Sequence, residues 1–178
     1  GDTTSLSVVD ADGNAVALIQ SLWVDAGVMV PGTGLLLNAR LNSCSAVPGH
    51  PDVVAGGKTP VYTMHTYMVT RDGALTAMGG TPGGNSQVQT NLQVLTNVLD
   101  FGMGVQAAVT TPRIHCEGPV TEIDGRAAED VVRGLSSRGH QLQVAEETGS
   151  SFRFARPGGI RIDPTSDQLS GGVHQFTP

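Results

Sequence analysis

The sequence predicts an α+β fold in which helices cover a largely antiparallel sheet. Strand patterns stand at both ends of the chain, and helical patterns stand between them. The 178 residues include 24 glycines, with only 4% aromatic and 15% charged residues, which is typical of a tightly turned, strand-rich protein. This length suits one domain with its own core, so we treat residues 1–178 as a single unit.

The first two strands form a predicted hairpin. Residues 4–10 alternate loosely and are rich in β-branched side chains, which favours a strand. A turn with the sequence DADGN follows, and residues 15–20 form the returning strand. The apolar run at residues 35–37 comes after a second turn, PGTG.

The middle of the chain begins with a predicted surface loop at residues 45–60, which contains three prolines and three glycines. Residues 61–69 and 75–79 are predicted to pair as strands about a turn at 71–73. The segment at 79–86 is a glycine-rich connection.

Helical spacing of apolar residues predicts a helix over 87–99, with Asn85 or Ser86 as its N-cap. A short helix over 105–110 stops before a proline, and an amphipathic helix covers 127–137. The predicted closing strands are 142–144, 151–155 and 159–162.

Composition excludes several classes of function. The net charge is −6 with no basic run, which argues against nucleic acid as a partner. No apolar run approaches the roughly 18 residues of a membrane span. The histidines share no metal-ligand spacing, so we expect neither a metal nor a cofactor. Cys44 and Cys116 are read as buried free thiols.

Thr3 is the candidate nucleophile, because it stands at the head of a strand close to the start of the sequence. A threonine whose own α-amine is free can attack a carbonyl with that amine as its base. Gly83 and Gly84 precede a predicted helix, where backbone N–H groups can point at one anionic oxygen. Taken alone this signal is weak, because a threonine near a start is usually structural and a PGGN turn before a helix is usually only a turn.

The order of the motifs resembles the small subunit of γ-glutamyltranspeptidases. The resemblance runs from Thr3 to about His115, with an echo at residues 162–164. The motifs that carry it are TTSLSVVDADGNAVALIQS, PGTGLLLN, GKTPVYTM, MGGTPGGN, LDFG and TTPRIH.

This resemblance implies the αββα sandwich of Ntn hydrolases and a precursor that cuts itself just before the nucleophile. A large subunit from the same precursor would complete the site. Whether two such heterodimers pair as a dimer is left open. Thr3 would be the nucleophile, and Ser21 would hydrogen-bond its hydroxyl. Gly83 and Gly84 would form the oxyanion hole, and Asn38 matches the first of an asparagine pair.

The residues before Thr3 bear on maturation. Gly1 and Asp2 as written would block the Thr3 amine, and glycine has no side chain to drive a cut before position 1. We therefore expect either an uncleaved state or a numbering that begins before the cut, and a blocked amine means an inactive state.

Several positions depart from the family pattern around the nucleophile. Ser5 stands where the family usually has histidine, and Trp23 replaces an asparagine two residues beyond Ser21. Trp23 either lines the substrate pocket or belongs to a core or interface.

The substrate clamp departs more strongly. Ser43 replaces the aspartate that pairs with the substrate's α-ammonium, and Arg40 replaces a glutamine. Tyr62 and Thr63 replace the serine pair that grips the α-carboxylate. Arg40 either binds a substrate carboxylate or forms a salt bridge with the large subunit. A free amino-acid head needs a carboxylate for its ammonium, so we expect a small-molecule substrate other than a simple γ-glutamyl compound.

Three functions stay open. The first is an Ntn hydrolase or acyltransferase acting on another amide or related carbonyl, with an ordinary γ-glutamyl enzyme as its nearest variant. The second is a hydrolase that breaks a C–C bond in making alkylproline units of antibiotics. The third is an inactive homologue.

Overall fold

The computed structural model describes residues 3–23, 25–148 and 153–175, so Gly1 and Asp2 lie outside the described residues. Eleven strands and three helices follow one another along this part of the chain. They are β1 (Thr3–Val9), β2 (Ala15–Ser21), β3 (Asp25–Met29), β4 (Leu36–Asn38), β5 (Thr66–Arg71), β6 (Ala74–Gly80), α1 (Gln87–Leu99), α2 (Val105–Thr110), β7 (Ile114–Cys116), β8 (Val120–Asp124), α3 (Glu129–Ser136), β9 (Gln141–Ala145), β10 (Gly158–Ile162) and β11 (Leu169–Val173).

The predicted hairpin forms, and its register places the candidate nucleophile. Strands β1 and β2 pair antiparallel over seven residue pairs, from Thr3 opposite Ser21 to Val9 opposite Ala15. One face is half-buried against strands β5, β6 and β10, while the other face is exposed. Apolar side chains on the exposed face are Leu6, Val8, Val16 and Leu18.

A four-stranded antiparallel sheet lies under the hairpin in the order β11-β10-β6-β5. Four consecutive residues of β6, from Ala77 to Gly80, are buried. Successive side chains of a strand point to opposite faces, so both faces of this strand are covered. Position 159 in β10 admits only glycine, because a Cβ there would lie 2.8 Å from the carbonyl oxygen of Met78.

Helices α1 and α2 pack on each other and on this sheet. Their shared core contains Val94 and Val98 from α1 and Val105, Ala108 and Val109 from α2. Both predicted helices are confirmed at the predicted bounds. Ser86 occupies the N-cap position of α1, although its hydroxyl donates to Gly83 O at 2.7 Å and does not cap the helix.

A separate three-stranded sheet, β7-β8-β9, contains the parallel pair β8 and β9. Helix α3 packs on β9 and is shorter than the predicted 127–137. Among the described residues, no helix is long and apolar enough to cross a membrane, and no cluster of His, Cys, Asp and Glu is arranged to hold a metal ion.

Three of the predictions are wrong. Residues 61–65 do not join β5, because the side chain of Gln87 donates to the carbonyl of Thr63 and that of Asn91 donates to the carbonyl of His65. In the predicted strand 151–155, the described part is a turn in which Ala155 adopts φ 57°, outside the β region. Both cysteines are free, but Cys44 is only half-buried, and Cys116 is exposed because the alternation of β7 turns His115 inward and Cys116 outward.

Candidate functional site

A chain of hydrogen bonds runs along the open end of the hairpin. Thr3 Oγ1 lies 2.8 Å from Ser21 Oγ, and the backbone N–H of Trp23 donates to the same Ser21 oxygen at 2.8 Å. A serine hydroxyl carries one hydrogen and can accept while it donates. With its oxygen accepting from Trp23, Ser21 can use its own hydrogen to stabilise negative charge on Thr3 Oγ1.

Trp23 reaches this position through an unusual backbone conformation. Its φ is 69°, in the left-handed region that bulky residues rarely adopt. Such a conformation costs on the order of 1–3 kcal/mol and tends to occur at functional sites. It places the N–H of Trp23 on Ser21 and the edge of its ring beside Gly84, where a Cβ would lie 3.9 Å from two ring carbons.

Gly83 and Gly84 form the turn that leads into α1. Both have positive φ, 150° and 57°, and a 3-10 turn over Gly84–Ser86 connects them to the helix. At Gly83 a side chain has no room, since a Cβ would lie 2.4 Å from Cβ of Ala155. Glycine at both positions leaves the backbone N–H groups open to close approach, as an oxyanion hole requires.

Buried polar contacts hold the glycine turn from behind. The hydroxyl of Thr81 accepts the N–H of Arg156 at 2.8 Å and donates to Pro82 O at 2.7 Å. The amide of Gln87, with its NH₂ turned inward, donates to the carbonyls of Thr63 at 3.0 Å and Thr81 at 3.2 Å. One buried side chain therefore fixes the predicted clamp segment beside the turn.

Arg40 begins a 3-10 turn, Arg40–Ser43, that lies against the end of the hairpin. The backbone N–H of Ala39 donates to Leu22 O at 3.0 Å, and the N–H of Arg40 donates to the side chain of Asn38 at 3.0 Å. Asn38 thus orients the turn. Ser43 closes the turn that Arg40 opens.

The guanidinium of Arg40 lies between two aromatic rings. Its Cζ is 4.8 Å from the ring centre of Trp23 and 5.2 Å from that of Tyr62. Tyr62 is exposed, whereas the hydroxyl of the following residue, Thr63, is buried without a hydrogen-bond partner among the described residues. The structure therefore brings Thr3, Ser21, the glycine pair, Arg40 and Tyr62 together around Trp23.

A cavity of about 590 Å³ opens beside the glycine turn, and most of its wall is made by residues that sequence reasoning did not select. Trp23, Gly83 and Asn85 line one side. His115, which the sequence predicts to be structural, and Glu117 line another. They come from β7 and the turn after it, so only the fold places them here.

Within this cavity, Asn85 donates a hydrogen bond to Glu117, and the Nε2 atom of His115 lies 3.4 Å from the other Glu117 oxygen. The hydrogen bond from Asn85, followed by that from His115, holds the pKa of Glu117 below its ordinary value. The wall facing the glycine turn thus carries an ionised carboxylate at neutral pH. The PGGN motif is the one sequence signal for Asn85, and it predicts only a helix cap there.

Comparisons with known proteins agree with this arrangement. The family model described as gamma-glutamyltranspeptidase matches residues 1–175. The Acylase ACY 1 proenzyme of Pseudomonas sp. (strain V22) is 34% identical over 183 residues, which cover 97% of this chain and 33% of that protein. Curated relatives of this kind are much longer proteins, and the chain spans 22% to 34% of their lengths.

Two solved structures extend the likeness to the fold. Cephalosporin acylase from Bacillus halodurans has a TM-score of 0.87 and 34% identity, over 96% of this chain and 32% of its own. Gamma-glutamyltranspeptidase from Pseudomonas nitroreducens, solved in complex with L-DON, has a TM-score of 0.81 and 29% identity, over 98% of this chain and 96% of the matched chain. The fold is thus that of the Ntn hydrolases, and the chain belongs to the γ-glutamyltranspeptidase family.

Proposed function

We propose that this chain is the small subunit of a self-processing Ntn hydrolase that transfers an acyl group from an amide through Thr3. The observation that carries the proposal is the hydrogen-bonded series from Trp23 N–H through Ser21 to Thr3 Oγ1 at the head of β1. The match of nearly equal length to one chain of a γ-glutamyltranspeptidase structure supports the assignment as a subunit. The word proenzyme in the names of longer relatives supports an origin in a precursor with a large subunit.

The first half of the reaction follows from these residues. Cleavage between Asp2 and Thr3 frees the Thr3 amine, which accepts the proton of the Thr3 hydroxyl as the oxygen attacks the substrate carbonyl. The carbonyl oxygen becomes an oxyanion, and the N–H groups of Gly83 and Gly84 stabilise it. The new ammonium then returns the proton to the leaving amine, which departs and leaves an ester on Thr3.

The second half reverses these roles. Water, or an acceptor amine, attacks the ester carbonyl and gives its proton to the Thr3 amine. The tetrahedral intermediate collapses, Thr3 Oγ1 regains its proton, and the acyl group leaves as an acid or a new amide. Throughout, Ser21 donates to Thr3 Oγ1 whenever that oxygen carries negative charge.

The acyl group is proposed not to be an ordinary γ-glutamyl group. Ser43 offers no charge to an α-ammonium, and Arg40, three contacts away from the nucleophile through Trp23 and Ser21, would repel it. The names of two relatives include the word acylase, which accords with an amide substrate of another kind.

A pair of neighbouring threonines tests the proposal in the full-length protein. Thr3→Ala should abolish self-cleavage and all acyl transfer, because it removes the nucleophile. Thr4→Ala is the matched control, since Thr4 is exposed on the other face of the same strand. Intact mass and N-terminal sequencing should show a fragment beginning at Thr3 in the wild type and in Thr4→Ala, and no such fragment in Thr3→Ala. Normal cleavage and turnover in Thr3→Ala would remove Thr3 from the mechanism.

A further inference from the structure

The cavity beside the glycine turn lies apart from the predicted substrate clamp. Its described wall includes Gly83 of the proposed oxyanion turn but none of Arg40, Ser43, Tyr62 and Thr63. A carbonyl bound at this turn has two substituents, the acyl chain and the amine. The clamp positions match those that hold the acyl group in the family, so the cavity of about 590 Å³ is the space left for the amine. Its volume is in the range of small-molecule sites.

Glu117 presents an open carboxylate to this cavity. Its side chain is 61% exposed, yet Asn85 donates to one of its oxygens and Nε2 of His115 lies 3.4 Å from the other. An ionised carboxylate has about four acceptor positions, so these two contacts leave about two for a ligand. The same contacts, that of Asn85 first, hold the pKa of Glu117 below its ordinary value, so the carboxylate is charged at neutral pH.

Rigid elements hold this carboxylate in place. The side chain of His115 is 9% exposed, and its Nδ1 atom has no hydrogen-bond partner among the described residues. Nε2 is the ring nitrogen with an acceptor, so the neutral imidazole carries its proton there and donates to Glu117. Gln89, in the first turn of α1, accepts the N–H of Cys116 and donates to its carbonyl, both at 2.8 Å. Glu117 therefore follows a segment that is fixed to α1, and its carboxylate is positioned before a ligand arrives.

The other two acidic and basic residues of the described cavity wall neutralise each other, because Arg153 forms an ion pair with Glu122. In the described part of the chain, by contrast, no arginine or lysine forms an ion pair with Glu117. The wall therefore presents an anionic group without a permanent cation beside it. A ligand with a positive charge would provide that cation, and an ammonium would also donate to the free acceptor positions.

We propose that this cavity binds the amine portion of the substrate and that Glu117 selects an amine with a second, cationic nitrogen. The substrate class is the amides of diamines, and the matching acceptor is a diamine. The neutral end of the diamine attacks the Thr3 ester, forms the new amide bond and gives its proton to the Thr3 amine, while Thr3 Oγ1 leaves. The distal ammonium meanwhile donates to Glu117. This inference rests on the proposed acyl transfer at Thr3.

Competition between two acceptors tests the proposal in the mature full-length protein. The donor is the p-nitroanilide that the wild type cleaves fastest among the acetyl, pentanoyl, glutaryl and γ-glutamyl compounds. The acceptors are 1,4-diaminobutane and pentylamine, which have equal chain length, and mass spectrometry measures the ratio of their amide products. Glu117→Gln should lower the ratio of diamine to pentylamine product by about 5-fold, the upper end for an exposed ion pair. Glu129→Gln, which removes an exposed carboxylate on α3, should preserve the ratio.

Salt gives a second readout that needs no variant. Raising the ionic strength from about 0.01 M to about 1 M shortens the Debye length from about 30 Å to about 3 Å, so the wild-type ratio should fall toward that of Glu117→Gln. A Glu117→Gln variant that keeps the wild-type ratio would overturn the inference, and so would a wild-type ratio that does not change with salt.

Binding measurements separate the cavity from the reaction. Calorimetry compares N-(4-aminobutyl)acetamide with N-pentylacetamide, two amides of equal length that differ in the terminal ammonium. We expect the wild type to bind the ammonium compound more tightly and Glu117→Gln to lose that difference; equal binding of both amides to the wild type would contradict the site. If no p-nitroanilide is cleaved but the ammonium compound binds through Glu117, the proposed reaction fails and the cation site stands.

Discussion

Gly83 and Ala155 approach each other so closely that a Cβ at position 83 would lie 2.4 Å from that of Ala155. The contact joins the proposed oxyanion turn to the segment that precedes β10. The next residue has much more space, because a Cβ at Gly84 would meet nothing nearer than the edge of the Trp23 ring at 3.9 Å.

Gly83→Ala should therefore lower both stability and activity. The methyl group forces the turn away from Ala155, and we expect a loss of about 2 kcal/mol in the free energy of unfolding, typical of an overpacked site. Gly84→Ala should cost about 1 kcal/mol, from its positive φ alone. Urea unfolding of the two variants measures the difference, and equal losses would show that the contact with Ala155 relaxes freely.

Removal of the Ser21 hydroxyl should slow the reaction without unfolding the hairpin. Ser21→Ala deletes the group between Trp23 N–H and Thr3 Oγ1, so kcat should fall by about 100-fold, as it does when one stabilising donor is lost. Ser21→Thr keeps the hydroxyl and should recover most of kcat. Gln20→Ala, on the exposed face of β2, is the control. A Ser21→Ala variant with normal kcat would exclude the hydrogen bond from the mechanism.

A buried ionic cluster should make stability depend on pH in acid. Burial would raise the pKa of Asp124, but hydrogen bonds and charge from Arg126, together with the charge of Arg113, outweigh it and hold the pKa below 3.8. A carboxyl whose pKa is lowered on folding adds stability above the unfolded pKa and loses it as pH falls through the folded value. The contribution is therefore complete at neutral pH and is lost progressively as pH falls below about 4.

Asp124→Asn tests this contribution. At pH 7 it should cost about 2 kcal/mol, because it removes the buried carboxylate that accepts hydrogen bonds from the Arg126 guanidinium. The difference in free energy of unfolding between Asp124→Asn and the wild type should become smaller as pH falls below 3.8. Urea unfolding at several pH values measures this difference. Asp12→Asn, in the exposed turn between β1 and β2, should show no gap at any pH. If the stability difference between Asp124→Asn and the wild type stayed constant down to about pH 2, titration of the Asp124 carboxyl would not be the cause of the acid sensitivity.

The parts of the fold that sequence predicted are those with strong local signals. Helix α1 has regular apolar spacing, and its bounds were predicted residue for residue. Strand β11, with the sequence LSGGV, has almost no side-chain pattern and is defined by its pairing with β10. Its Gly172 lies where neighbouring backbone comes close, because a Cβ there would be 2.6 Å from the backbone of Gln106. Such a strand depends on contacts that are distant in sequence.

The candidate site divides in the same way. Motif order was enough to select Thr3, Ser21 and the glycine pair, whose spacing is local to two strands and one turn. The stacking of Arg40 between Trp23 and Tyr62 joins three separate segments, and the cavity that His115 shares with Asn85 also joins distant ones. Linear spacing holds no information on such contacts.

The backbone of Trp23 holds the proton-donor chain of Thr3, while its ring supports Arg40. Every residue except proline keeps the backbone N–H at position 23, so a substitution there removes the ring beside Arg40 and Gly84 and leaves a donor for Ser21 in the chain.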